Sequence, residues 1–137
     1  RAGVDGQMVE VEDAPDLDRY KNHTIEAVVD RLIIRHENAD NPLFENQLEL
    51  LRNRIDALDV ELLEVLSSRM DIVREIGRYK RDNNVTALQI NRWAQLMEDR
   101  VKMGQKLNLN KTFTQILFQL IHEDSVRMQT EIMDNNE

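Results

Sequence analysis

From Leu48 to Tyr79 the chain places one residue on a common face every three or four positions, with no proline to interrupt it: Leu48, Leu51, Ile55, Leu58, Leu62, Val65, Arg69, Ile72, Ile76 and Tyr79. Such spacing belongs to an α-helix. Taken from Leu43 to about Arg81, it predicts one helix of roughly 55–60 Å at 1.5 Å per residue. A helix that long cannot bury its stripe on two shorter helices of the same chain, and the economical solution is a second copy of itself. One member of the stripe is a guanidinium. At a seam position Arg69 loses hydration, which is costly unless an anion or a set of acceptors meets it. Either a buried carboxylate or a carboxylate ligand is expected beside it, and the second option leads toward a binding pocket in a helical core.

At 137 residues the chain can hold one domain with a real core, and an appended segment. It has no cysteine, which excludes thiolate metal sites, disulfides and cysteine nucleophiles and is compatible with a reducing, cytoplasmic compartment. Its three histidines leave little for a histidine-rich metal site. No run approaches the roughly 18 apolar residues of a membrane span, and Arg1-Ala2-Gly3-Val4-Asp5-Gly6 lacks the basic-then-apolar order of a signal peptide. A start at Arg1 is what a piece of a longer protein would show. The net charge of −8 argues against sequence-independent binding to nucleic acid or anionic lipid. Residues 1–42 carry ten acids against five bases, whereas residues 43–137 carry sixteen against thirteen and set several bases among apolar residues. An internally cationic pocket in an acidic shell suits a small anionic ligand.

Composition changes near Asn41-Pro42, dividing an acidic N-terminal linker segment, 1–42, from a helical domain, 43–137. In the first part Gln7-Met8-Val9-Glu10-Val11 alternates like a short strand, Glu10 to Asp16 reads as a loop, and Thr24 can cap an amphipathic helix over about 24–35 with Ile25, Val28, Val29, Leu32 and Ile33 as its stripe. In the second part Asp82-Asn83-Asn84 ends the long helix. A second helix is expected from about Thr86 or Leu88 to Leu107, with Ile90, Trp93, Met97 and Val101 on one side. Asn108-Leu109-Asn110 closes it, and Asn110 can cap a third helix carrying Phe113, Ile116, Leu117, Leu120, Ile121, Met128 and Ile132. The fold class is all-α: three helices, one very long, in an interlocked homodimer. No Gly-rich phosphate loop or internal repeat is present.

The polar residues can then be placed. Arg69 and Lys80, eleven residues apart, return to within about 20° of the same face three turns on. Arg52 lies about 25 Å from Arg69 along the helix and roughly 100° around it, so it cannot share a small ligand with Arg69 on one helix. In an antiparallel dimer Arg52 of one copy could reach the pocket of the other. Gln89, Arg92 and Trp93 share a face of the second helix, and Ser125 and Gln129 share one on the third.

The segment from Leu51 to Asp59, followed by Arg69-Met70, Gly77-Arg78-Tyr79-Lys80, Arg92, Gln119 to Ser125 and Gln129, closely resembles the all-helical AroQ-type chorismate mutase family over about residues 43–134. It looks most like mutase domains fused to other aromatic-pathway enzymes. The opening residues 2–11 are similar to a late strand of the barrel-shaped synthase that begins the shikimate pathway. The resemblance implies a homodimer with shared active sites that converts chorismate to prephenate by a [3,3] rearrangement, with no cofactor, metal or covalent intermediate. Such a site must hold a dicarboxylate in its folded conformer and stabilise charge growing on the ether oxygen. By the same resemblance, Arg69 and Arg52 from the second copy clamp the carboxylates, with Ser125 assisting. Lys80 and Gln129 donate to the ether oxygen, and Arg92 with the backbone near Gln89 orients the hydroxyl end.

Two positions depart from the family. A carboxylate that binds the substrate hydroxyl often follows the arginine at position 92, but Trp93 stands there, and Gln89 occupies a place often held by Asp. Trp93 reads as core packing, Glu123 and Asp124 as pairing within the third helix, and His122, His23 and His36 receive no role. Taken alone, Arg69 could pair with a buried acid, Lys80 and Arg52 could be solvated helix charges, and Ser125 and Gln129 ordinary polar groups. The alternative to an enzyme is a non-catalytic dimerisation or regulatory module of the same fold.

Overall fold

A computed structural model describes residues 38–135 together with Asp18, Ile25, Val28, Val29 and Arg35. Its elements are three helices, α1 (Pro42–Asp82), α2 (Ile90–Lys106) and α3 (Lys111–Asn135), with no strand among the described residues. The expected all-α class and helix order are both found. The strand expected at 7–11 lies outside the described residues, as does most of the helix expected at 24–35. Within the latter, Ile25, Val28 and Val29 are helical and exposed.

Each end of a helix follows from a particular side chain. Asn41 caps α1, its Oδ1 accepting from the Phe44 N–H at 3.2 Å, and Pro42 takes the first position, where a missing N–H costs nothing. Asn110 does the same for α3, accepting from Phe113 N–H at 2.8 Å. The C-termini of α1 and α2 close alike. Asn84 and Asn108 adopt left-handed backbone, with φ of 56° and 64°. The following residues, Val85 and Leu109, donate back to the carbonyls of Lys80 at 2.8 Å and Gly104 at 2.9 Å. These are Schellman motifs with asparagine, the best non-glycine residue for that conformation.

The chain divides into two units, with the boundary inside α1 after Asp71. The unit from Ile72 onward has its own interior, built from Val73 of α1, Leu96 and Val101 of α2, and Ile116 and Ile132 of α3. In it the last turns of α1 lie against α3 at Gly77, where a Cβ would stand 3.3 Å from the Gln129 Cα. Helices α2 and α3 meet at Gly104, where a Cβ would stand 2.9 Å from both Oγ1 and Cγ2 of Thr114. Thr114 is 1% exposed and its hydroxyl donates to the Asn110 carbonyl at 2.9 Å, so it cannot turn away. Gly104→Val is therefore expected to destabilise the fold by about 1–3 kcal/mol in denaturant titration, because over-packing at a fixed neighbour outweighs the gain in helix propensity.

The inward stripe of this part of α1 is Val73, Gly77 and Lys80, whereas the seam members Ile72, Ile76 and Tyr79 are exposed. Hydrophobic spacing singled out the face that this chain leaves uncovered. The inward face escaped it because a glycine and a lysine carry no apolar signal.

In the other unit α1 runs from Pro42 to Asp71 with no buried residue. Leu51, Ile55, Leu58, Leu62 and Val65 of the seam all stay more than half exposed, Ile55 at 56% and Leu58 at 61%. A row of that length and apolarity marks an interaction face.

Candidate active site

In the unit from Ile72 onward, three of the expected site residues stand on elements whose packing fixes them. Lys80 is on the inward stripe, one turn beyond Gly77, and is half-buried. Its Nζ donates to the backbone carbonyl of Ala87 at 2.7 Å, so the loop between α1 and α2 anchors the ammonium. Burial lowers the Lys80 pKa below the ordinary lysine value. No carboxylate holds the charge in that bond, which leaves two ammonium hydrogens for another acceptor.

Gln129 is brought close to α1 by the absence of a side chain at Gly77, whose Cβ position lies 3.5 Å from the Gln129 Cγ. Only 7% of it is exposed, and its Oε1 is buried with no hydrogen-bond partner. An amide in that state costs stability unless a ligand or a water completes it. Ser125, one turn before on α3, is also buried, and its hydroxyl donates to the Ile121 carbonyl of its own helix at 2.8 Å. To donate to an incoming carboxylate the hydroxyl must rotate away from that carbonyl.

At the start of α2, Gln89 is the residue before the first turn, in extended backbone with φ −109° and ψ 102°, and its side chain makes no cap bond. Its carbonyl accepts from the Trp93 N–H at 3.0 Å. Gln89 and Arg92 are both exposed. Trp93 is half-buried, with its ring centroid 5.7 Å from that of His122 on α3 and the planes tilted by 38°. The helix begins at Ile90, later than Thr86 or Leu88, because the stretch before it stays non-helical and lends Lys80 its acceptor.

Arg69 and Arg52 belong to the unit that ends at Asp71. Arg69 is half-buried. Arg52 is exposed and lines an open cleft of about 520 Å³ with Asp40, Phe44, Glu45 and Leu48.

Sequence reasoning missed one group that the structure shows. The Ala87 carbonyl has no side-chain signature at all. His122, which the sequence reading leaves without a role, lies three residues before Ser125 and seven before Gln129, on their face of α3. Asp124 behaves as expected, pairing within α3 with Arg127 at 2.8 Å, and Glu131 joins it at 2.6 Å. Among the described residues no group of acids and histidines is arranged to hold a metal ion, and no helix is long and apolar enough to cross a membrane.

The family pattern of chorismate mutase type II matches residues 51–130, a stretch that opens one residue before Arg52 and closes one after Gln129. The pattern of the UvrA interaction domain matches residues 1–51, most of which lie outside the described residues. The bifunctional chorismate mutase/prephenate dehydratase of Escherichia coli (strain K12) is 35% identical over 92 residues, which is 67% of this chain and 24% of that protein. Its counterpart in Buchnera aphidicola subsp. Acyrthosiphon pisum (strain APS) is 31% identical over 88 residues, 64% of this chain and 23% of that one. The 4-amino-4-deoxychorismate mutase of Streptomyces pristinaespiralis is 32% identical over 84 residues, 61% of this chain and 65% of that protein. The chain thus spans about a quarter of the length of the two bifunctional relatives. Three helices in this order, a glutamine of the third helix packed on Gly77 of the first, and a family pattern covering more than half of its length agree: this chain belongs to the chorismate mutase type II family.

Proposed function

We propose that the chain is a chorismate mutase, which converts chorismate to prephenate by a [3,3] rearrangement with no cofactor and no covalent intermediate. As the bond from ring carbon to ether oxygen breaks, a carbon–carbon bond forms between the ring and the enolpyruvyl end. Negative charge gathers on that oxygen in the transition state. Lys80 and Gln129 would meet it as donors, and a contact that strengthens as charge grows accelerates the reaction rather than merely binding the substrate. The observation that carries this reading is the half-buried Lys80 ammonium, bonded to a main-chain carbonyl with no carboxylate in that bond, on the stripe where Gly77 lets Gln129 approach.

The two carboxylates of chorismate would be held by Arg69 and by Arg52 from a second copy, with Ser125 turning to assist one of them. A guanidinium presents a planar fork that fits a carboxylate in two hydrogen bonds. The second copy is the natural cover for the uncovered row from Leu51 to Val65, and an interlocked homodimer would build each pocket from both chains. Arg92 and the backbone at Gln89 would take the hydroxyl end. By its name, the Streptomyces relative acts on a substrate with an amino group at ring position 4, the position that carries the hydroxyl in chorismate. A fused aromatic-pathway enzyme, as in the bifunctional relatives, and a cytoplasmic location, which the lack of cysteine suits, complete the proposal.

A non-catalytic dimerisation or regulatory module of the same fold is favoured by Trp93 at the position where a carboxylate is expected. One assay separates the two readings: the decline of chorismate's ultraviolet absorbance with purified protein, repeated with Arg69→Ala. The mutase reading expects conversion that drops at least about 100-fold in the variant, the scale of losing a charged, bidentate contact in a dry site. Conversion that survives Arg69→Ala removes the clamp, and no conversion by either protein favours the module.

A further inference from the structure

On α3 three polar side chains, His122, Ser125 and Gln129, follow one another at spacings of three and four along a single face. Ser125 and Gln129 are buried and His122 is half-buried, on a helix whose other buried members include Ile116 and Ile132. The mutase reading uses Ser125 and Gln129 and leaves His122 unexplained. His122 also has a specific neighbour. Its ring lies 5.7 Å from that of Trp93, the residue one turn after Gln89 whose N–H donates to the Gln89 carbonyl. The imidazole of α3 therefore reaches the first turn of α2, the end of the site assigned to the substrate hydroxyl, and its Nε2 is shielded from solvent.

We infer that His122, held in place by the face of Trp93, supplies the hydrogen bond to the hydroxyl at ring position 4, and is a specificity-determining residue of this enzyme. The inference rests on the mutase reading. Chorismate carries two carboxylates and an ether oxygen, all acceptors, and one hydroxyl that can both donate and accept. Arginine, lysine, serine and glutamine donors already serve the acceptors. The hydroxyl needs a group able to take a proton in a hydrogen bond, and an arginine side chain cannot do so. In this chain the tryptophan at position 93 has only an N–H to offer, so the acceptor must come from elsewhere. A neutral imidazole has one acceptor nitrogen and one donor nitrogen and can meet a hydroxyl in either sense. Trp93 acts here as a positioning residue: a ring at that distance and tilt favours one orientation of the imidazole. The carboxylate that α2 lacks is thereby replaced by a side chain from α3.

The test compares chorismate with its analogue lacking the position-4 hydroxyl, using the full chain, with steady-state rates followed by absorbance and fold by circular dichroism. The wild type is expected to prefer chorismate by roughly 10- to 100-fold in kcat/KM, the scale of one buried hydrogen bond whose partner is removed. His122→Phe keeps a ring against Trp93 and removes both nitrogens. It should lose most of that preference by slowing chorismate while leaving the analogue's rate within about twofold. Adding Trp93→Glu to His122→Phe should restore the preference, because a carboxylate then stands at the start of α2. A wild type that does not distinguish the two compounds overturns the inference without any variant. Equal loss on both compounds in His122→Phe overturns it too, since that marks a packing role. A wild type that converts neither compound overturns the underlying mutase reading instead, so the two failures are distinct.

Discussion

Replacing Lys80 with methionine is expected to lower kcat on chorismate by roughly 10²–10³-fold while the helical circular dichroism stays as in the wild type, because one preorganised donor to a developing oxyanion is worth about that much. Methionine keeps most of the length of the stem but removes the ammonium. The effect belongs in kcat more than KM, since the ether oxygen becomes a strong acceptor only as its bond to the ring stretches. A variant that retains more than a third of the wild-type kcat would show that the ammonium does not face the ether oxygen. The pH dependence has a definite sign. Burial lowers the Lys80 pKa, and only the protonated form donates. The rate should therefore fall as pH rises through that depressed value, an alkaline limb that begins below the ordinary lysine range. In Lys80→Arg the limb should move out of reach, because a guanidinium stays protonated. Stability runs the other way. Lys80 is more readily neutralised in the folded chain than in the unfolded one, so its contribution opposes folding at neutral pH, and this opposition is relieved as pH rises from the folded toward the unfolded value.

Arg52→Ala and Lys80→Met, each nearly inactive alone, should recover activity when co-expressed. If every site takes Arg52 from one copy and Lys80 from the other, a mixed dimer holds one site with both defects and one with neither. Random pairing in a two-fold dimer then returns about a quarter of the wild-type sites. The measurement is kcat per chain of the co-purified mixture, with differently tagged copies to prove that mixed dimers formed. Recovery needs nothing from either variant except that it folds and pairs. Mixed dimers with no activity above the two parents would mean that Arg52 and Lys80 serve the same site from the same chain, or that Arg52 serves none.

How far these residues were legible in the sequence depended on what kind of signal each one leaves. Helix ends were readable where a side chain makes the bond: Asn110 was expected as a cap and accepts from Phe113, and the asparagines expected to break the first two helices do so in left-handed backbone. The start of α2 was placed too early because Thr86 and Leu88 suit a helix by propensity. A tertiary demand, the lysine ammonium on the Ala87 carbonyl, keeps that stretch non-helical, and a main-chain acceptor has no residue type to announce it. Periodicity found the long helix correctly and marked Ile72, Ile76 and Tyr79, which this chain leaves exposed. The inward positions Val73, Gly77 and Lys80 were readable only through the family motif around Gly77 and Lys80. His122 carries no sequence signal of its own, since a single histidine on a helix face announces neither a metal site nor acid–base chemistry. Its neighbour Trp93 is distant in sequence, so only the fold could pair them.

The uncovered arm of α1 bears on how the molecule comes into being. Residues from Ile72 onward possess an interior drawn from three nearby stretches of sequence, closed by two asparagine-terminated turns, and short-range closures of that kind form fast and need no other molecule. Residues 42–71 possess no interior at all. In the homodimer proposed above, acquiring shape would thus be first order in the concentration of chains for one half and second order for the other. Birth of the fold and encounter between copies would then be successive events, and dilution would undo the later one while sparing the earlier.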